Sequence, residues 1–94
     1  MSVVIIGGLD RMNSHYKNIC KKHGCKSKVF TQPPANFQNQ IGNPDLIVVF
    51  TKTVAHKMLD VATLKAQRTG TAIKYCHSSS SGALDEVLSE HLAC

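Results

Sequence analysis

Two runs in this chain, Val3-Val4-Ile5-Ile6 and Leu46-Ile47-Val48-Val49-Phe50, are apolar at every position instead of every second one. A strand with one wet face alternates polar and apolar residues. A strand with no polar position has to be covered on both sides. The second run gives way at once to Thr51-Lys52-Thr53-Val54-Ala55-His56-Lys57, and the first to Gly7-Gly8-Leu9-Asp10-Arg11. A third, Ala72-Ile73-Lys74-Tyr75-Cys76, gives way to His77 and four serines, Ser78 to Ser81. If these are neighbouring parallel strands, the polar groups share the carboxyl edge of one sheet, where open α/β folds bind ligands.

The segments between the runs support that arrangement. Gly7-Gly8 is a turn, and Asp10, Asn13 and Ser14 compete to cap a helix that reaches about Lys22 and stops at Gly24. Cys25 to Thr31 reads as a second strand, more charged and so nearer an edge, broken by Gln32-Pro33-Pro34. A short helix over about Ala35 to Ile41 ends at Gly42-Asn43-Pro44, before the strand Asp45 to Phe50. Thr51 or Thr53 can cap a third helix, on which Val54, Met58, Val61, Ala62 and Leu64 recur at helical spacing up to Thr69-Gly70. Thr71 to Cys76 is the fourth strand. The serine run then caps a last helix carrying Ala83, Leu84, Val87, Leu88 and Leu92. The order βαβαβαβα predicts an α/β fold in one domain, residues 1–94. It is a four-stranded parallel sheet with helices on both faces, a three-layer αβα arrangement of Rossmann-like or flavodoxin-like type.

A net charge of +5 favours anionic partners. Nucleic acid is not the expected partner, because aromatic residues make up only 5% and no basic stretch is interleaved with stacking side chains. No stretch approaches the roughly 18 apolar residues of a membrane span, and the N-terminus enters a strand without a leader-like segment; a soluble cytoplasmic protein is expected. There Cys20, Cys25, Cys76 and Cys94 are reduced, and without zinc-ribbon spacing they read as small hydrophobes, Cys94 at a mobile end. A homodimer would help so small a sheet by covering an edge or a leftover apolar face.

The candidate site residues lie in three loops. Gly7 and Gly8 lack the spacing of a dinucleotide fingerprint, but they let backbone approach a ligand, and Arg11 offers two donors to a carboxylate or phosphate. Tyr16 and Lys17, one to two turns on, extend the same wall. His56, near the start of the third helix with Lys57 beside it, is placed to stay neutral and ligate a metal. His77 ends a strand, and Ser78, Ser79 and Ser80 supply hydroxyls and amides at a helix start, a setting for phosphate or carboxylate. Serine catalysis is disfavoured, since His77 and Ser78 are adjacent and point apart and no nucleophile elbow surrounds them. His15 sits early enough on its helix to approach the edge; His23 and His91 read as solvated helix-end cations.

With these motifs in hand, the chain resembles the small bacterial family catalogued as domain of unknown function 2325. The resemblance spans nearly the whole chain and rests on V-I-I-G-G-x-D-R at Val4 to Arg11, Y-K-N-I-C-K-K at Tyr16 to Lys22 and K-V-F-T-Q at Lys28 to Gln32. It continues through Gly42 to Asp45, Phe50 to Met58 with its A-H-K-M, and H-S-S-S at His77. It implies a compact α/β fold, a link to haem, and a grouping of Asp10, Arg11, Tyr16, Lys17, His56 and His77.

Two readings follow. In the first, the protein binds haem for gas sensing, storage or haem handling. His56 or His77 is the axial ligand, Arg11, Lys17, Lys52 and Lys57 serve the propionates, and Met58 or Tyr16 lines the slot. In the second, a phosphate-bearing small molecule or nucleotide is gripped by the same loops without metal. Asp10 is the sole acid among the loops, which argues against hydrolysis and for binding without turnover, slow oxidation of bound haem aside.

Overall fold

The computed structural model describes residues 1–32 and 35–92; the Pro33-Pro34 break and Cys94 lie outside them. Strands and helices alternate as β1 (Ser2–Ile6), α1 (Asn13–Lys22), β2 (Lys26–Phe30), α2 (Phe37–Ile41), β3 (Leu46–Phe50), α3 (His56–Thr69), β4 (Ala72–Cys76) and α4 (Ser81–Leu92). All pairings are parallel and the lateral order is β2-β1-β3-β4, so the expected four-stranded parallel sheet forms with the charged second strand at an edge.

This order carries the helices to both faces. The chain steps one way from β1 to β2, then reverses across β1 to β3 and β4. Right-handed crossovers put helices on opposite faces when the direction reverses. On one face Val3, Ile5, Leu46, Val48 and Phe50 pack with Tyr16 and Cys20 of α1 and Leu84 and Leu88 of α4. On the other, Val4, Ile6, Ile47 and Val49 pack with Phe37 and Ile41 of α2 and Met58, Ala62 and Ala66 of α3. β3 is buried at every position, which accounts for its lack of any polar residue.

The register aligns the strand ends. Ile6 pairs with both Phe30 and Val49, and Phe50 pairs with Cys76. Gly7, Thr31, Thr51 and His77 therefore leave the sheet at one edge, and the switch in winding direction falls between β1 and β3.

Two helix starts and one charge differ from the sequence-based expectations. Asp10 to Met12 form a 3₁₀ turn, and α1 begins at Asn13 with Met12 as its cap residue and no side-chain capping bond. Asp10 does not cap it because its carboxylate accepts hydrogen bonds from Thr31 and Gln32 at the end of β2. The third helix starts at His56, after Ala55, not after Thr51 or Thr53. Val54 thus precedes the helix while still packing on the core, and Leu64 turns outward, half-exposed. The end of α1 follows expectation: Gly24 (φ +73°) donates to the Lys21 carbonyl and Cys25 to that of Cys20, a paired closure that needs a left-handed residue at position 24.

His23, expected as a solvated cation, is held instead. Its Nε2 lies 2.6 Å from Asp85 Oδ1 on α4, and its side chain is 17% exposed. Folding placed Asp85 across from it, a neighbour 62 residues away in sequence. Lys22 adds a longer contact to the same carboxylate. Cys20, Cys25 and Cys76 are buried free thiols, as small hydrophobes should be, and burial pushes the Cys20 thiol up to about 11.

The His23 hydrogen bond, ahead of the Lys22 charge, holds the Asp85 carboxyl below its usual value. A depressed carboxyl contributes stability above the unfolded-state pKa and loses it as pH falls through the lower folded value. Asp85→Asn should therefore lower the melting temperature at about pH 6, and the difference from wild type should narrow progressively as pH falls below the ordinary carboxylate value of about 4.

Candidate functional site

The loop after β1 uses its donors within the protein. Gly7 N donates to Phe30 O (2.9 Å), Gly8 N to Thr53 Oγ1 (2.7 Å) and Leu9 N to the Tyr16 hydroxyl (3.3 Å). Both glycines sit at positive φ, +90° and +88°. A Cβ at Gly8 would meet Tyr16 Cε2 at 2.8 Å and Phe50 Cδ2 at 3.1 Å. Gly7 is closed in by the Phe50 carbonyl and Val54, and the close approach that Gly8 allows is to the chain's own aromatic rings.

Those rings belong to a relay joining the three loops. Thr53 Oγ1, which accepts from Gly8, also lies 2.9 Å from Ser79 Oγ. Tyr16, fully buried with its ring 5.0 Å from that of Phe50, donates its hydroxyl hydrogen to Ser79 O at 2.6 Å. The loop after β1, the loop after β3 and the serine run are thereby fixed relative to one another. Tyr16 is an internal strut here, not the exposed wall expected from sequence, because helix α1 turns it onto the sheet. Asp10, bonded to Thr31 and Gln32, ties the first loop to the end of β2.

The serines are also partly engaged. Ser80 Oγ accepts from Ala83 N at 3.2 Å, the cap expected of this run, and Ser78 Oγ accepts from Ser80 N at 3.3 Å. Ser79 is taken by the relay.

Around this rigid junction lies an open cavity of about 460 Å³. Leu9, Arg11 and Met12 form one side, Lys52 and Thr53 another, and His77 with Ser78, Ser79 and Ser80 the third. Its volume suits a small molecule or cofactor. Two permanent cations and an imidazole face a lining with no carboxylate, and Leu9 and Met12 give it an apolar wall. Arg11, Lys52 and His77 are all exposed.

The expected group of six is therefore divided. Arg11 and His77 meet in the cavity; Asp10 and Tyr16 brace it from behind. His56 and Lys57, exposed in the first turn of α3, stand at the same edge but outside the lining. Lys17 points to a separate groove beside β2. Among the described residues no three His, Cys, Asp or Glu side chains gather as a metal-binding group. Thr53 was legible only as a helix cap, and Leu9 and Met12 carried no chemical signal at all. A polar residue three positions past a buried strand was the one available hint to Thr53.

Strand order, switch point and pocket define an α/β domain of flavodoxin-like topology with a basic cavity at its carboxyl edge. The chain belongs to the family described as an uncharacterized protein conserved in bacteria, domain of unknown function 2325, whose model matches residues 2–91. No curated protein and no solved structure matches it.

The relay makes two stability predictions. Thr53→Val leaves the Gly8 amide without an acceptor and unties Ser79, and should cost about 1–3 kcal/mol in urea denaturation. Gly8→Ala combines a left-handed backbone with a clash against Tyr16 and should cost about 2–4 kcal/mol by the same measurement.

Proposed function

We propose that this protein binds an anionic, partly apolar cofactor in the carboxyl-edge pocket, with haem the specific candidate and His77 its axial ligand. The observation that carries the reading is the donor set. One imidazole, two cations and an apolar wall share a single cavity, while the amides of Gly7, Gly8 and Leu9 are bonded internally. Haem requires an axial nitrogen, an apolar surface and cations for its propionates; His77, then Leu9 with Met12, then Arg11 with Lys52 supply these in turn. The iron would supply gas binding or electron exchange.

The residues' own tasks follow from their positions. Arg11 and Lys52 neutralise carboxylates, and the Thr53 relay keeps the His77 loop from moving away from Arg11. Binding for sensing, storage or haem handling needs nothing more, so the reading is of a binding protein without turnover. A homodimer would cover the exposed Leu9 at the rim and close the open mouth. Residence in the cytoplasm fits three buried free thiols, and no helix among the described residues is long and apolar enough to cross a membrane.

Titrating purified protein with haemin should give a Soret band that saturates at a defined ratio. His77→Ala should shift or abolish the band, Arg11→Ala should weaken binding about tenfold, and His56→Ala should leave it intact. Loss of the band only in His56→Ala would move the axial role to that residue. A flat titration beside thermal stabilisation by phosphate or nucleotide would favour the metal-free alternative, a phosphate-bearing small molecule held by Arg11, Lys52 and the serines.

A further inference from the structure

The β2 side of the sheet carries a feature that the pocket does not use. β2 is the outer strand of the sheet. Lys26 N donates inward to Met1 O, and Phe30 O accepts from Gly7 N, each at 2.9 Å. Alternation along a strand then directs the backbone N–H and C=O of Ser27 and Val29 away from β1. Among the described residues no strand pairs with that outer side.

A groove of about 380 Å³ runs along it, lined by Lys17 from α1, Ser27, Lys28 and Val29 from β2, and Asn39 and Gln40 from α2. Helix residues on both faces of the sheet thus flank an open strand edge. Just beyond, a second cavity of about 350 Å³ includes Lys26 and Lys28 over Val4 and Ile41. The register sets Lys26 and Lys28 beside Ser2 and Val4, on the face that α2 covers for only five residues. Neither cavity is lined by an Asp or Glu.

We infer that the outer edge of β2 is a docking groove for an extended acidic peptide segment, which adds to the sheet as a fifth strand. Ser27 and Val29 would pair with its backbone. Its side chains, alternating between faces, would set one carboxylate against Lys28 and the next against Lys17. Lysines on an edge strand also discourage unwanted pairing: a second copy of β2 would bring Lys26 and Lys28 against their own kind, and a neutral strand would gain no charge contact. The same residues that repel other strands select an acidic one.

The test is anisotropy titration of the intact protein with a short labelled peptide alternating valine and glutamate. Two control peptides accompany it, one with lysine in place of glutamate and one N-methylated at alternate backbone positions. Saturable binding of the acidic peptide, with new hydrogen-exchange protection at the Ser27 and Val29 amides, is expected. Lys28→Glu and Lys17→Glu should each weaken it about tenfold or more; both residues are exposed, so the fold should persist, as circular dichroism would verify. Equal binding of the N-methylated or lysine peptide, no binding, or preference for a single-stranded oligonucleotide at the same lysines would each overturn the inference.

Discussion

Two-sided burial of β1 and β3 is the constraint from which the rest of this structure follows. Two adjacent strands whose runs Val3–Ile6 and Leu46–Phe50 carry no polar side chain stay in water only if helices lie above and below them, and a chain of this length supplies two helices per face. Right-handed connections then permit a winding that goes out to β2 and returns past β1. The return creates a point between β1 and β3 where the loops diverge, and a cavity opens at that divergence. Core and pocket have the same origin.

The pocket's character is decided by what its backbone no longer offers. A Gly-Gly turn ahead of a helix suggests a phosphate cradle, but here the amides of Gly7, Gly8 and Leu9 end on Phe30, Thr53 and Tyr16. What the cavity presents is therefore side chains, chiefly Arg11, Lys52 and His77, which offer charge and an imidazole in place of those three amides. The buried Tyr16 ring is the pivot, packing on Phe50 while its hydroxyl holds the first and last loops together. Internal satisfaction of the loops holds the walls of the cavity in place, which would lower the ordering cost of the binding proposed above.

Charge is distributed to match. The basic residues do not form one surface: Arg11, Lys52 and His77 converge at the carboxyl edge, whereas Lys17, Lys26 and Lys28 follow the outer strand. The acidic Asp10 and Asp85 are drawn into contacts that fasten elements together, Asp10 to the end of β2 and Asp85 to His23. Arg11 and Lys52 at the cavity and Lys17, Lys26 and Lys28 along β2 are left facing solvent.

The sequence by itself determined the strands, their common direction, the α/β architecture and the edge where Arg11, His77 and the serines emerge. Those follow from local hydrophobic pattern and connection rules that need no knowledge of distant neighbours. Only the tertiary structure decided that Tyr16 turns inward, that Thr53 bridges loops instead of capping α3, and that Lys17 faces β2 instead of the pocket. It also decided that His23 meets Asp85. Each of these depends on the direction of a side chain around a helix or on a partner dozens of residues away. Hydrophobic periodicity encodes which face a residue occupies, but not what stands opposite it once the faces have been brought together.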